Sequence, residues 1–146
     1  MQADFGQIGD ILESMSDAFY AVDRDWRFTY VNRKAEELWG RTKADLLGRV
    51  IWEVFPSAVG TLPYAQQLRA AAEGVAVTFE TVSPTIGRWI RVTAYPNPAG
   101  LAVFFHDIHD RKRDDEERAR LLAAERQARA QAEQAAQRTA RLQAIT

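Results

Sequence analysis

Two histidines, His106 and His109, stand three residues apart and are the only imidazoles in the 146-residue chain. An imidazole can ligate a metal or haem iron, shuttle a proton or accept a phosphoryl group. Two of them at this spacing do not close a metal site, because further donors must converge from elsewhere. They are read as side chains at a strand–helix junction. The chain has no cysteine, which excludes disulfides, thiolate metal sites, iron–sulfur clusters and cysteinyl photoadducts together. Ser14, Ser16, Ser57 and Ser83 lack a nucleophile-elbow context, and there is neither a glycine-rich phosphate loop nor an HExxH motif. Glu36 and Glu37, and the run from Asp114 to Glu117, are adjacent rather than placed to share a site. They read as solvated helix faces, the second favourably near a helix N-terminus. No catalytic site and no metal are expected of this chain.

The elements that would position such residues follow from periodicity. Phe5, Ile8, Ile11, Leu12 and Met15 recur at helical spacing and predict an amphipathic N-terminal helix over residues 1–16. Residues 18–22 and 26–31 are β-rich and separated by Asp23, Arg24 and Asp25, a hairpin signal. Asn32 opens a short helix with Ala35, Leu38 and Trp39 on its apolar face and Gly40 at its end. Thr42 with Asp45 forms a capping box ahead of Leu46 and Leu47. Ile51, Trp52, Val54 and Phe55 make another short element that stops at Pro56. Thr61, Leu62 and Pro63 start a longer helix, read with Tyr64, Leu68, Ala71 and Ala72 on one face and Gly74 as its cap. Three strands follow, at residues 75–82, 88–95 and 101–106, with turns at 83–87 and 96–100.

Consecutive hairpin-linked strands argue for an α+β domain built on a five-stranded antiparallel sheet. The last two strands are apolar on both faces, so a cover on each side of the sheet is expected. Composition then changes abruptly. Residues 108–146 contain no Trp, Tyr, Phe, Gly or Pro and consist mostly of strong helix formers, which predicts one long helix. The predicted division is residues 1–16 for the flanking helix, 17–108 for the domain and 109–146 for the long helix.

Charge and hydropathy narrow the function classes. The formal charge is −1, which gives no global pull toward nucleic acid or anionic lipid. Basic side chains are interleaved with acidic ones and form no stripe with aromatics, so no nucleic-acid partner is expected. No run approaches the length of a membrane span and the N-terminal residues do not form a signal peptide. A cytoplasmic location is the expectation.

Over residues 12–112 this pattern resembles the PAS family. The first stretch is the run from Ser16 to Asp23 with Phe28 to Ala35, similar to the family's opening hairpin followed by Asn and a short helix. The second is Leu47, Gly48 and Arg49 through Phe55 and Pro56, similar to the short-helix insert. The third runs from Trp89 to Val92, then Phe105, His106, Asp107 and Ile108, then Arg111 and Lys112. It is similar to the last two strands and the Asp-Ile-Thr-x-Arg-Lys junction that leads into an output helix. His109 departs from that pattern, standing where the family usually has Thr. Asp107 or Asp110 is therefore expected to cap the helix, and Asp107 and Arg111 are the expected signal-junction pair. His109 to Lys112 also resembles the phosphoacceptor box of sensor kinases, but that box wants an apolar residue at 111. The match is read as overlap with the junction.

The resemblance implies a sensory input module, such as the PAS region of a sensor histidine kinase in a two-component system, with no catalysis of its own. It also implies a pocket walled by aromatics. The candidate contacts are Phe28, Tyr30, Asn32, Trp52, Phe55, Tyr64 and Thr93. The cofactor stays unknown. Covalent flavin is excluded by the missing cysteine, and haem lacks its usual ligand because residues 63–73 contain no His. The alternative reading is a ligand-free dimerisation module. In the long helix Leu121, Ala128, Ala135 and Leu142 recur every seven residues as coiled-coil a positions, with Ala124, Gln131, Arg138 and Ile145 at d. A homodimer seam of Leu121, Ala124, Ala128, Ala135, Leu142 and Ile145 is expected, joined by the flanking helix and the sheet.

Overall fold

The computed structural model describes residues 9–145. The predicted positions Phe5 and Ile8 and the side chain of Ile145 lie outside the described residues. Two units are present, Met1–His109 and Asp110–Thr146.

In the first unit, helix α1 covers residues 9–14 and leads into strand β1 (Ala18–Asp23), which forms a hairpin with β2 (Phe28–Val31). The hairpin turn is set by Asp23, whose Oδ1 accepts the amides of Asp25 at 2.9 Å and Arg27 at 3.0 Å. Trp26 is the one described non-glycine residue with positive φ, at 64°. That conformation is unfavourable for a bulky side chain. It is held because the Trp26 amide donates to Asp23 O, its carbonyl accepts from Ile51 N, and its ring packs 5.4 Å from that of Trp52. Strand β2 therefore begins two residues later than the pattern predicts.

The chain then crosses the sheet in short helices. These are α2 (Arg33–Trp39), α3 (Lys43–Leu46), α4 (Ile51–Val54), a 3-10 turn (Pro56–Ala58) and α5 (Leu62–Glu73). Their ends follow the sequence signals. Asn32 caps α2 by accepting the Ala35 amide, Gly40 and Gly74 end α2 and α5 in left-handed conformations, and Asp45 takes the amide and hydroxyl of Thr42. On α5 the buried residues are Pro63, Gln67 and Ala70, not the predicted Tyr64, Leu68, Ala71 and Ala72. The helix is rotated so that a polar side chain faces inward, and the reason is a partner there.

Strands β3 (Val77–Val82), β4 (Trp89–Asn97) and β5 (Gly100–Asp107) complete one five-stranded antiparallel sheet in the order β2-β1-β5-β4-β3. The N-terminal hairpin is thus stitched to the last strand, with Tyr20 opposite Val103 and Asp23 opposite Gly100. A Cβ on Gly100 would lie 2.1 Å from the Val22 carbonyl oxygen, so β1 and β5 approach this closely only with glycine there. Tyr20, Val22, Ile90, Val92, Val103 and Phe105 point to the helix-covered face and are buried. On the other face Phe19 is buried beside Phe104, while Tyr95 is 48% exposed.

The second unit is carried by α6 (His109–Ile145), 37 residues without a break and about 55 Å long at the α-helical rise. Side chains 113–144 are all exposed, Leu121 and Leu142 at 61% and 67%.

Candidate functional site

Between the sheet and the inserted helices lies a cavity of about 50 Å³ whose walls include Tyr20, Trp39, Trp52, Phe55, Gln67 and Phe105. Strand β1 presents Tyr20 inward by alternation with Ala18 and Val22, all three buried. Helix α5 presents Gln67 from the opposite side. The Tyr20 hydroxyl donates to Gln67 Oε1 at 2.9 Å across 47 residues of chain, which explains the rotation of α5. Burial pushes the Tyr20 phenol far above its ordinary pKa, opposed only by that hydrogen bond, so it is a donor across the physiological range.

One buried donor on a wall residue has no acceptor among the described residues. Trp52 Nε1 is buried without a hydrogen-bond partner, and Gln67 meets the Tyr20 hydroxyl through its amide oxygen. An unpaired buried donor costs about 1–3 kcal/mol, so Trp52 Nε1 has a hydrogen bond to gain from an acceptor. No charged side chain lines the cavity. A charged guest would be stripped of water without a counter-charge. The site accordingly suits a small uncharged molecule with an accepting oxygen or nitrogen. Its volume admits only a few atoms, or about three or four waters. The rim at residues 83–85 is braced by Ser83 Oγ, which meets Thr85 Oγ at 2.9 Å and accepts the amides of Thr85 and Ile86.

Of the candidate contacts read from the sequence, the structure brings Trp52 and Phe55 to the wall. Phe28 stands one layer behind, edge-on to Tyr20 and Phe55, and Tyr64 packs on Trp52 at 4.8 Å without lining the cavity. Tyr30, Asn32 and Thr93 do not line it. Tyr30 points to the other face, where its hydroxyl donates to Glu13 Oε1 and its ring meets Phe19. Burial, and then the Glu13 carboxylate, push its pKa up to about 12. Thr93 lies on the same outer face, 3.3 Å from the Thr78 hydroxyl. Asn32 is fully buried and spends its whole side chain on the backbone: Oδ1 accepts from Phe19 N and Ala35 N, and Nδ2 donates to Leu12 O and Asp17 O. Tyr20 belongs to the aromatics of the elements around the pocket without being one of the candidate contacts, and Gln67 is in neither group. The alternation of β1 could have singled out Tyr20; nothing local singles out a glutamine.

The strand–helix junction forms a second cluster. Asp107 Oδ2 accepts from Arg88 Nε at 2.7 Å, and Oδ1 accepts the His109 amide at 2.9 Å. Asp107 thus supplies the acceptor that caps the start of α6. Burial works against its ionisation, but the His109 amide and Arg88 outweigh it and hold the carboxyl below its ordinary pKa. Arg111, its expected partner, is in the second unit; Arg88, nineteen residues upstream, is the partner within the first. Along α6 the seam side chains Leu121, Ala124, Ala128, Ala135 and Leu142 are all exposed.

Among the described residues no group of three or more His, Cys, Asp or Glu side chains is placed to hold a metal, and no helix is long and apolar enough to cross a membrane.

Residues 12–113 match the family model described as PAS fold. No curated protein matches the sequence at a significant level. Among solved structures, an RNA-binding light-oxygen-voltage receptor superposes with a TM-score of 0.63 at 21% identity, over 81% of this chain and 37% of the receptor chain. The PAS domain of a protein from Colwellia psychrerythraea gives 0.61 at 17% identity, over 73% of this chain and 98% of that one. The PAS domain of histidine kinase ThkA gives 0.54 at 22% identity, over 64% of this chain and all of that domain. This chain spans little more than a third of the receptor's length, and at such identities the likeness establishes the fold.

Proposed function

The chain belongs to the PAS family, and we propose that it is the sensory input module of a signalling protein, of the kind that feeds a sensor histidine kinase. On this reading the chain catalyses nothing itself and works in the cytoplasm. A small uncharged molecule enters the cavity, accepts hydrogen bonds from Gln67 and Trp52, and shifts the sheet that runs directly into α6. The observation that carries the reading is the acceptor-less indole donor of Trp52, a wall residue of an uncharged aromatic cavity. Buried donors are normally paired, so an open indole donor on a wall residue supports a binding site rather than a packing defect.

Relay requires a partner for α6, and a second copy supplies one. Leucine at two a positions with alanine between them gives a seam that buries little area. Arg120 at g would face Glu125 at e of a parallel second copy, an attractive pairing. The homodimer is then marginal, which suits a helix whose two arrangements differ by only a few kcal/mol.

Purified protein tests the reading. It should be colourless, and denaturing mass spectrometry should release a small neutral molecule that is missing from a Gln67→Leu, Trp52→Phe double variant. A stoichiometric Soret band or flavin spectrum would overturn the choice of ligand class. If nothing is released from the wild type and no neutral acceptor raises its melting temperature, the second reading takes over. That reading, favoured by the small volume of the cavity, is a ligand-free dimerisation module.

A further inference from the structure

At the end of β5 the chain carries an imidazole whose protonation state is dictated by its partner. The main-chain N–H of Trp89 donates to Nδ1 of His109 at 3.2 Å. A peptide N–H can only donate, so Nδ1 must hold a lone pair and the ring proton must sit on Nε2. One residue earlier, the Ile108 amide donates to the Trp89 carbonyl at 2.9 Å. The first residue of β4 is thus tied to the start of α6 by two bonds. One is between backbone groups and indifferent to pH. The other exists only while the imidazole is neutral.

We propose that His109 is a proton-operated latch: protonation of Nδ1 releases the Trp89 amide and frees the first residue of α6 from strand β4. The charged groups around the ring favour two positions for it. On β5, Asp107 holds the His109 backbone amide through Oδ1; before β4, Arg88 is engaged with the other oxygen, Oδ2. Asp110, Arg111 and Lys112 follow on α6. A neutral ring takes the Trp89 N–H. An imidazolium is repelled by that donor and drawn to the Asp107 carboxylate, which stays ionised because its own pKa is depressed. The latch is closed while the ring is neutral and open once Nδ1 is protonated. The other histidine responds in the opposite sense. His106 Nδ1 meets Asp17 Oδ1 at 2.6 Å on the outer face, beside Arg91 and Glu80, and protonation there turns a hydrogen bond into an ion pair. The latch is independent of whether the cavity is occupied.

The test is residue-resolved NMR on the full chain carrying His106→Asn, which removes the second titration. At pH 7.5 the His109 nitrogen shifts should report the Nε2–H tautomer. Between pH 7.5 and 5.5 the hydrogen-exchange protection factor of the Trp89 amide should fall at least tenfold, while those of Val92 and Val103 hold. His109→Asn places an acceptor that does not titrate near Nδ1, and should keep Trp89 protected at both values. An Nδ1–H tautomer at pH 7.5, a Trp89 protection factor that does not change with pH, or the same loss in His109→Asn overturns the proposal. Loss at all three amides together also overturns it, because that reports unfolding of the sheet rather than release of one bond.

Discussion

Asn32 is the residue whose removal tests the architecture most directly. Its side chain makes four hydrogen bonds from a position with no exposed surface. In Asn32→Ala the helix α2 loses its N-cap, at a cost of about 1 kcal/mol. The Phe19 amide, in a buried stretch of β1, loses its acceptor and stays dry, which adds about 1–3 kcal/mol. The carbonyls of Leu12 and Asp17 are nearer the surface and can turn to water, so each adds less, about 0.5 kcal/mol. The sum is about 3–5 kcal/mol. Such a loss is a large share of the ~5–15 kcal/mol that holds a domain together, and it lowers the melting temperature by more than about 12 °C. All four tryptophans lie between residues 26 and 89, so urea denaturation followed by tryptophan fluorescence reads the first unit without interference from α6. Asn32→Asp should keep the two acceptor bonds but face two carbonyl oxygens with a carboxylate, so it should also be destabilised, with exchange increasing first around residues 12–17. A cost below about 1.5 kcal/mol for Asn32→Ala would refute the view that one asparagine ties α1, β1 and α2 together.

Three further outcomes are expected. Tyrosines ionise near pH 10 in an unfolded chain, whereas Tyr20 is held higher by burial and Tyr30 at about 12 by burial and Glu13. The fold therefore binds more protons than the unfolded chain above pH 10, and its stability should drop as pH rises from 10 toward 12. Ultraviolet titration should show Tyr20 ionising only with unfolding, and a full set of four tyrosinates before the fluorescence transition would contradict this. Asp107, with its lowered pKa, contributes stability that is complete above about 3.9 and lost as pH falls through the folded value. Arg88→Ala should raise that pKa and cost no more than about 1 kcal/mol, since the pair is partly exposed; an unchanged carboxyl titration by NMR would dismiss Arg88 as its partner. In α6, Gln131→Leu with Arg138→Leu adds two apolar d layers and should tighten the dimer more than tenfold. Sedimentation equilibrium decides it, and monomers at tens of micromolar in both proteins would end the stalk reading.

What the sequence determined by itself is local. Asn32, Gly40, Thr42 with Asp45, and Gly74 mark element ends that the structure reproduces, because caps and left-handed stops depend on residues within one turn. The β-rich runs at residues 18–22, 75–82 and 101–106 locate three strands to within two residues of their observed ends. The residues before Gly100 also read as a turn, although β4 runs on through Pro96 to Asn97. The break at residue 108 is legible because composition alone separates a domain rich in aromatics from a bare helix.

What only the tertiary structure decided is direction. Period-2 alternation in β1 and β2 does not say which face is inside. A bulge between Ala21 and Val22 shifts the register of the pair, and it turns Tyr30 away from the cavity that Tyr20 enters. Asn32 fits a pocket contact by type, yet its four partners are backbone groups that come together only after α1, β1 and α2 have packed. Gln67 looks like a surface residue of α5 until Tyr20, 47 residues away, supplies its hydrogen bond. Arg88 and His109 acquire their roles in the same way, across the β4–β5 register. A side chain's chemistry is written in the sequence, but its partner is chosen by contacts whose sequence separation no local pattern records.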